Sequence, residues 1–332
     1  MRLLLNSPYR LTPDHQEQLR ATVPGLEVID QPTQPADQLS GAGVTALVTE
    51  QVPRNLAAWP DLRWVQLLSA GANQLLGHPV RETEIRVTTA SGTHGVPIAQ
   101  YVTCVTLMMV HRMPDLLPFK SNRIWPNRLA LAGSTLRGMT VGIIGYGSIG
   151  RECGRQLAAL GMRVLCLKHN PASRMDTGYN AWPNTGDPEG VIPVGWYGQS
   201  ELSELLPLCD LVVVTVPSTP KTEGMIGAAQ FAQMKRGAHL VLISRGGIVD
   251  EVALADALRS GHLGAAAVDC FVHEPTTPDL PLFDVPNLIM TPHMSGVYTG
   301  FWPAMVGLLA ENLRRFAGGQ PLLNLTHRID GY

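Results

Sequence analysis

Over residues 1–90, short apolar runs alternate with polar, proline-containing connections. MRLLLNS, LEVID, VTALVTE, RWVQLLSA and IRVTTA have the length and composition of strands. HQEQLRATV and the region around NLAAW read as helices between them. This rhythm predicts parallel strands covered by helices. From Val96 the pattern changes. VPIAQYVTCVTLMMVHRM predicts a long helix, apolar all round and so buried between layers, with Pro97 near its first turn. After an irregular polar stretch holding Trp125 and Pro126, alternation resumes through MRVLCLK, ELSELL, LVVVTV, AAQFAQM, HLVLIS, VALADALRS, AAAVDCF and NLIMTPH. A final helix over 298–316 carries Phe301, Met305, Leu308, Asn312 and Phe316 at helical spacing. Residues 175–198, rich in Gly, Pro and Asn, interrupt the pattern. They read as a long inserted loop, and loops of that length are usually functional or disordered.

A chain of 332 residues predicts about two domains, and a 45% hydrophobic content is ordinary for a globular protein. The formal net charge of −2 gives no field toward nucleic acid or an anionic membrane. Arg314-Arg315 is expected on a solvated helix face. The five cysteines, Cys104, Cys153, Cys166, Cys209 and Cys270, form no C-x-x-C pair, and four lie in apolar runs. Buried free thiols in a reducing compartment explain them. The apolar part of the N-terminus is too short for a signal peptide, and no run approaches the ~18 residues of a membrane span. A cytoplasmic protein with no membrane association and no metal centre is expected.

The most specific local signal is VGIIGYGSIGRECG at 141–154, where Gly145, Gly147 and Gly150 fit G-x-G-x-x-G. MTVGII precedes it as a strand, and Ile149, Cys153, Leu157 and Leu160 follow at helical spacing until Gly161. In that context the glycines bring backbone close to a pyrophosphate, and Ser148 and Ile149 stand at a helix N-terminus, where amide donors and the dipole favour an anion. An acidic residue ~20 positions on would mark an NAD site. Here the second strand ends in Lys168-His169-Asn170, with Arg174 nearby. No carboxylate repels a 2′-phosphate, which favours NADP, or loose discrimination between NADP and NAD; alternatively Lys168 and Arg174 merely face solvent.

Three further motifs follow in order: LISRGGIVDEVAL at 242–254, VDCFVHEP at 268–275 and MTPHMSG at 290–296. With the glycine motif, the series resembles the D-isomer-specific 2-hydroxyacid dehydrogenase family, well over 60–330 and by pattern alone over 1–60. That family includes glyoxylate/hydroxypyruvate reductases and phosphoglycerate dehydrogenases. The resemblance implies an α/β architecture, with a Rossmann-type nucleotide-binding domain (98–295) inserted into a flavodoxin-like substrate domain (1–97 and 296–332). It implies an active site in the cleft between domains and a homodimer through the nucleotide domain.

The resemblance also assigns residues. Arg245 aligns with the arginine that grips the substrate carboxylate, chemistry that suits a guanidinium. His293 aligns with the acid/base, and Glu274 with its carboxylate partner. Asp269 aligns with a contact to the nicotinamide carboxamide. LLSAGANQLL at 67–76 matches the loop whose amides bind the substrate carboxylate, through Gly71 and Ala72. His94 is a further residue placed near the first crossover. Asp250 is expected to cap a helix rather than take part in catalysis. Leu242, Gln100, Asn73 and Lys168 depart from residues usual in the family, and none removes a catalytic group. The expected activity is hydride transfer between NAD(P)H and a small 2-keto acid. The alternatives are a non-catalytic nucleotide-sensing protein of the co-repressor kind, or a formate- or phosphite-type dehydrogenase on the same scaffold.

Overall fold

In the computed structural model, residues 1–31 and 33–326 are described. They divide into two compact units. The first joins Met1–His94, Gly178–Pro183 and the segment from Tyr298; the second joins Gly95–Thr177 and Asn184–Val297. The stretch 178–183, which the sequence reading leaves within the nucleotide domain, packs with the first unit.

The first unit holds a five-stranded parallel sheet built from β1 (Arg2–Asn6), β2 (Glu27–Gln31), β3 (Ala46–Thr49), β4 (Trp64–Leu67) and β5 (Arg86–Thr88). Their order is β2-β1-β3-β4-β5. This is the flavodoxin-like order. β3 and β4 are buried at every position, as expected of strands covered on both faces. One face carries Leu3, Leu5, Val48 and Trp64, packed against Met305, Leu308 and Leu309 of the helix Phe301–Ala317. The NLAAW region forms a short 3₁₀ turn, Leu56–Ala58, rather than an α-helix.

The second unit holds a seven-stranded parallel sheet: β6 (Thr140–Ile144), β7 (Arg163–Leu167), β8 (Gly195–Tyr197), β9 (Leu211–Val214), β10 (Ala238–Leu242), β11 (Leu263–Val268) and β12 (Leu288–Met290). The order β12-β11-β10-β9-β6-β7-β8 reverses direction between β6 and β9. That is the dinucleotide-fold order, and ligands bind at such reversals. β8 corrects the reading of 175–198 as loop throughout. Its three residues are too few to carry a periodic signal.

The helix Gly95–Val110 also differs from expectation. Ile98, Ala99, Val102, Val105 and Met109 are buried, but Gln100 and Cys104 are exposed. Hydropathy hides this polarity, because apolar Cys104, Leu107 and Met108 lie outside the buried stripe. The other four cysteines are buried and free. Among the described residues, no helix is long and apolar enough to cross a membrane.

Candidate active site

The glycine turn lies where β6 meets its helix. Gly145 adopts φ +101°, and its amide donates to the Leu167 carbonyl at 2.9 Å. A Cβ on Gly150 would stand 2.1 Å from the Gly145 carbonyl oxygen, so only glycine lets the helix Ser148–Ala159 start flush against the turn. A Cβ on Gly147 would meet nothing within 4 Å, and no side chain caps this helix. Open space above a helix N-terminus at the strand-order reversal fits a pyrophosphate. At the end of β7, Lys168 Nζ donates to the Ser173 carbonyl at 2.6 Å, and the Arg174 guanidinium lies 5.6 Å from the Trp196 ring centre.

β10 delivers Arg245 at its carboxyl end. Arg245 Nη1 donates to the Ser244 carbonyl at 2.7 Å. A Cβ on the next residue, Gly246, would lie 1.9 Å from the Phe271 carbonyl oxygen. The arginine loop thus lies flat on the loop after β11. In that second loop the Phe271 amide donates to Glu274 Oε1 at 2.9 Å, and the Val272 amide donates to Glu251 at 2.7 Å. Glu274 Oε2 in turn stands 2.8 Å from His293 Nδ1. The two side chains are 36% and 40% exposed, open to a ligand. In the same loop the buried Cys270 thiol is pushed up, first by burial. Glu274 and His293 therefore form a direct pair, and Arg245 stands one residue before Gly246, whose backbone packs on the Phe271 peptide.

Asp269 has a role that sequence reasoning missed. It is fully buried, and its carboxylate accepts the Met294 and Ser295 amides at 2.7 and 2.8 Å and the Thr291 hydroxyl at 2.5 Å. Tyr101, pushed up to about 12 chiefly by burial, shares that hydroxyl at 2.6 Å. Asp269 thereby folds the 291–295 turn, in which His293 takes φ +55°, a left-handed conformation uncommon for a non-glycine residue. The available signal was a carboxylate directly after a buried strand, which must find donors. Asp250 caps the helix Glu251–Arg259, accepting the Val252 and Ala253 amides at 2.9 and 3.0 Å.

The loop after β4 belongs to the first unit. Ser69 Oγ donates to the Gly71 carbonyl at 2.7 Å, and a 3₁₀ turn, Asn73–Leu75, starts beyond Ala72. A Cβ on Gly71 would meet nothing within 4 Å, so its backbone is approachable. His94 packs against Tyr298 and Phe301, with ring centres 6.3 and 5.6 Å away.

Known proteins resemble this chain in sequence and in fold. A sequence profile of the D-isomer specific 2-hydroxyacid dehydrogenase NAD binding domain matches residues 104–295. The (S)-sulfolactate dehydrogenase of Chromohalobacter salexigens is 36% identical over 283 residues, 84% of this chain and 86% of that protein. Among solved structures, a D-isomer specific 2-hydroxyacid dehydrogenase from Xanthobacter autotrophicus Py2, in complex with NADPH and MES, superposes with a TM-score of 0.82. It is 27% identical, with 100% of this chain and 99% of that one covered. An NADPH-dependent glyoxylate/hydroxypyruvate reductase from Sinorhizobium meliloti, in complex with NADP and sulfate, gives 0.80 at 25% identity, covering 100% and 99%. The chain belongs to the D-isomer specific 2-hydroxyacid dehydrogenase family and is an NAD(P)-dependent oxidoreductase.

Proposed function

We propose that this dehydrogenase works as a 2-keto acid reductase on a small substrate of the glyoxylate or hydroxypyruvate kind, with NADPH preferred over NADH. The observation that carries the reading is the 2.8 Å pair of His293 Nδ1 and Glu274 Oε2, on the same unit as the glycine cradle. The cofactor would be held by the Gly145–Ile149 turn, with Lys168 toward the adenosine ribose, while Asp269, fully buried and bonded to Thr291, Met294 and Ser295, shapes the turn that carries His293 instead of reaching the carboxamide. When bound, NADPH supplies the hydride that reduces the keto carbon. Arg245 grips the substrate carboxylate with its planar fork and polarises the neighbouring carbonyl. Glu274 occupies His293 Nδ1, so Nε2 is the nitrogen that gives the proton to the substrate oxygen. In the oxidative direction Nε2 takes the proton back.

The test is a spectrophotometric assay with NADPH and NADH against glyoxylate, hydroxypyruvate and other 2-keto acids, with (S)-sulfolactate in the oxidative direction. His293→Ala should lower kcat about 10²–10⁴-fold. An undiminished kcat would overturn the assignment of His293, and inactivity on every substrate would favour a nucleotide sensor.

Assembly as a homodimer is part of the same proposal. Leu117, Phe119, Ile124, Trp125 and Leu129 are exposed within thirteen residues, Trp125 by 73% and Leu129 by 89%. Clustered apolar exposure of this kind marks an association surface. Light scattering should give twice the chain mass for the wild type and one chain mass for Leu129→Asp. Equal masses for the two proteins would refute the surface.

A further inference from the structure

The helix after the glycine turn begins with two charged residues that are not on the surface: Arg151 and Glu152 are 2% and 1% exposed. Both reach the base of the 175–198 insertion. Arg151 Nη2 donates to the Arg174 carbonyl at 2.6 Å, and Nη1 donates to the Asp187 carbonyl in a shorter bond. Its Nε stands 3.2 Å from the Asp176 carboxylate, and its guanidinium lies 5.1 Å from the Tyr146 ring centre. Tyr146 passes its hydroxyl hydrogen to Asp187 Oδ2 at 2.9 Å, and the Val191 and Ile192 amides complete that buried carboxylate at 3.0 and 3.2 Å. Glu152 accepts the Gly186 amide at 2.6 Å. The Asp176 amide donates to the Pro188 carbonyl at 2.8 Å. The start and the middle of the insertion therefore close on Arg151.

Pyrophosphate binding requires none of this. A guanidinium removed from water needs fixed acceptors, and where these are peptide carbonyls it fixes the backbone that bears them. The backbone fixed here is the far end of the turn that begins at Lys168. That turn is closed by Lys168 on the Ser173 carbonyl at 2.6 Å, by the Ser173 amide on the Asn170 carbonyl at 3.2 Å and by the Ala172 amide on Asn170 Oδ1 at 3.1 Å. Gly190 seals its outer side, since a Cβ there would lie 2.5 Å from the Arg174 carbonyl oxygen. In a dinucleotide fold the end of the second strand meets the adenosine ribose. Burial, followed by the charge of Arg151, pushes the Lys168 ammonium below the usual lysine range, a state that a neighbouring anion relieves.

We infer that Arg151 is a positioning residue for recognition of the cofactor's 2′-phosphate. It holds the turn from Lys168 to Arg174 in the shape that receives a phosphomonoester. The inference rests on the NADPH preference proposed above. Calorimetric titration of the protein with 2′,5′-ADP and with 5′-AMP tests it without turnover. The wild type should bind 2′,5′-ADP about tenfold more tightly, the value of one charge-assisted contact. Arg151→Lys should bring that ratio to within about twofold of unity while 5′-AMP affinity holds. Asp176→Asn, a milder change at a residue one-third exposed, should lower the ratio in the same direction and decides the matter if Arg151→Lys does not fold. A wild-type ratio near one would remove the NADPH reading, and this inference with it. A wild-type preference that survives in both variants, or a parallel loss of 5′-AMP binding, would overturn the role of Arg151 alone.

Discussion

Several of the chain's histidines differ in what surrounds them. His293 combines a carboxylate on one nitrogen with a ring 40% exposed. His239 is the opposite case. It sits in β10 with Nδ1 buried and without a hydrogen-bond partner, and burial, opposed by the Ala265 backbone and Asp210, pushes its pKa below 6.5. His78 is lowered in the same direction, again chiefly by burial. A group with a depressed folded pKa gives stability that is present above the unfolded pKa and lost as pH falls toward the folded one. Stability should therefore decline below pH ~6.5, by up to about 1.4 kcal/mol per pH unit for each such proton. Urea midpoints at pH 7.5 and 5.5 measure this, and His239→Gln should shrink the difference. An identical slope in the variant would show that His239 does not titrate on unfolding. Residue types at this scale were legible where a motif named them: Gly145, Arg245, Glu274 and His293 stand in loops at the carboxyl ends of strands. Arg151 and Glu152 were not, because nothing in a run of letters says that a charge turns inward to hold a distant peptide, and for Asp269 the motif named the residue but not its hold on the 291–295 turn.

Loops between elements position the candidate chemistry more than the elements themselves do. Gly246 shows this most directly, since it lets one loop lie on the Phe271 peptide of another. Gly246→Ala should separate Arg245 from Glu274. Because a misplacement of ~1 Å lowers rates about 100-fold, kcat should fall by that order while 5′-AMP affinity stays at the wild-type value. Wild-type kcat would show that the loops adjust. Asp250→Ala should remove the cap of the helix Glu251–Arg259 and lower stability by about 1 kcal/mol, read as a fall in Tm, with no shift counting against the cap. Strands were legible because short apolar runs between turn signals admit few other readings. β8 was not, since Gly195–Tyr197 becomes a strand only by pairing with β7. The exposed stripe of the helix Gly95–Val110 was hidden for a related reason: cysteine and methionine score as apolar on either side of a helix.

At the scale of the molecule, each unit has its own sheet and apolar cores. Calorimetry should thus resolve more than one unfolding step. NADPH at a hundredfold excess over its Kd should stabilise the nucleotide-binding unit by about 2.7 kcal/mol, seen as a rise in one transition. A thermogram unmoved by the cofactor would count against binding in the folded state. The resemblance implied two passages of the chain between units. There are four, at 94/95, 177/178, 183/184 and 297/298. The two additional ones come from six residues of the insertion. Within the first unit Trp182 donates its indole hydrogen to the Thr93 carbonyl at 2.9 Å and lies 6.1 Å from the ring of Tyr298, while Tyr179 joins the apolar cluster around Phe301 and Met305. For anyone wishing to express the coenzyme half alone, this has a practical edge. A gene fragment spanning 95–297 would carry two large rings stripped of their companions, and it invites clumping. Swapping 178–183 for a brief glycine–serine bridge is the splice that leaves a clean exterior.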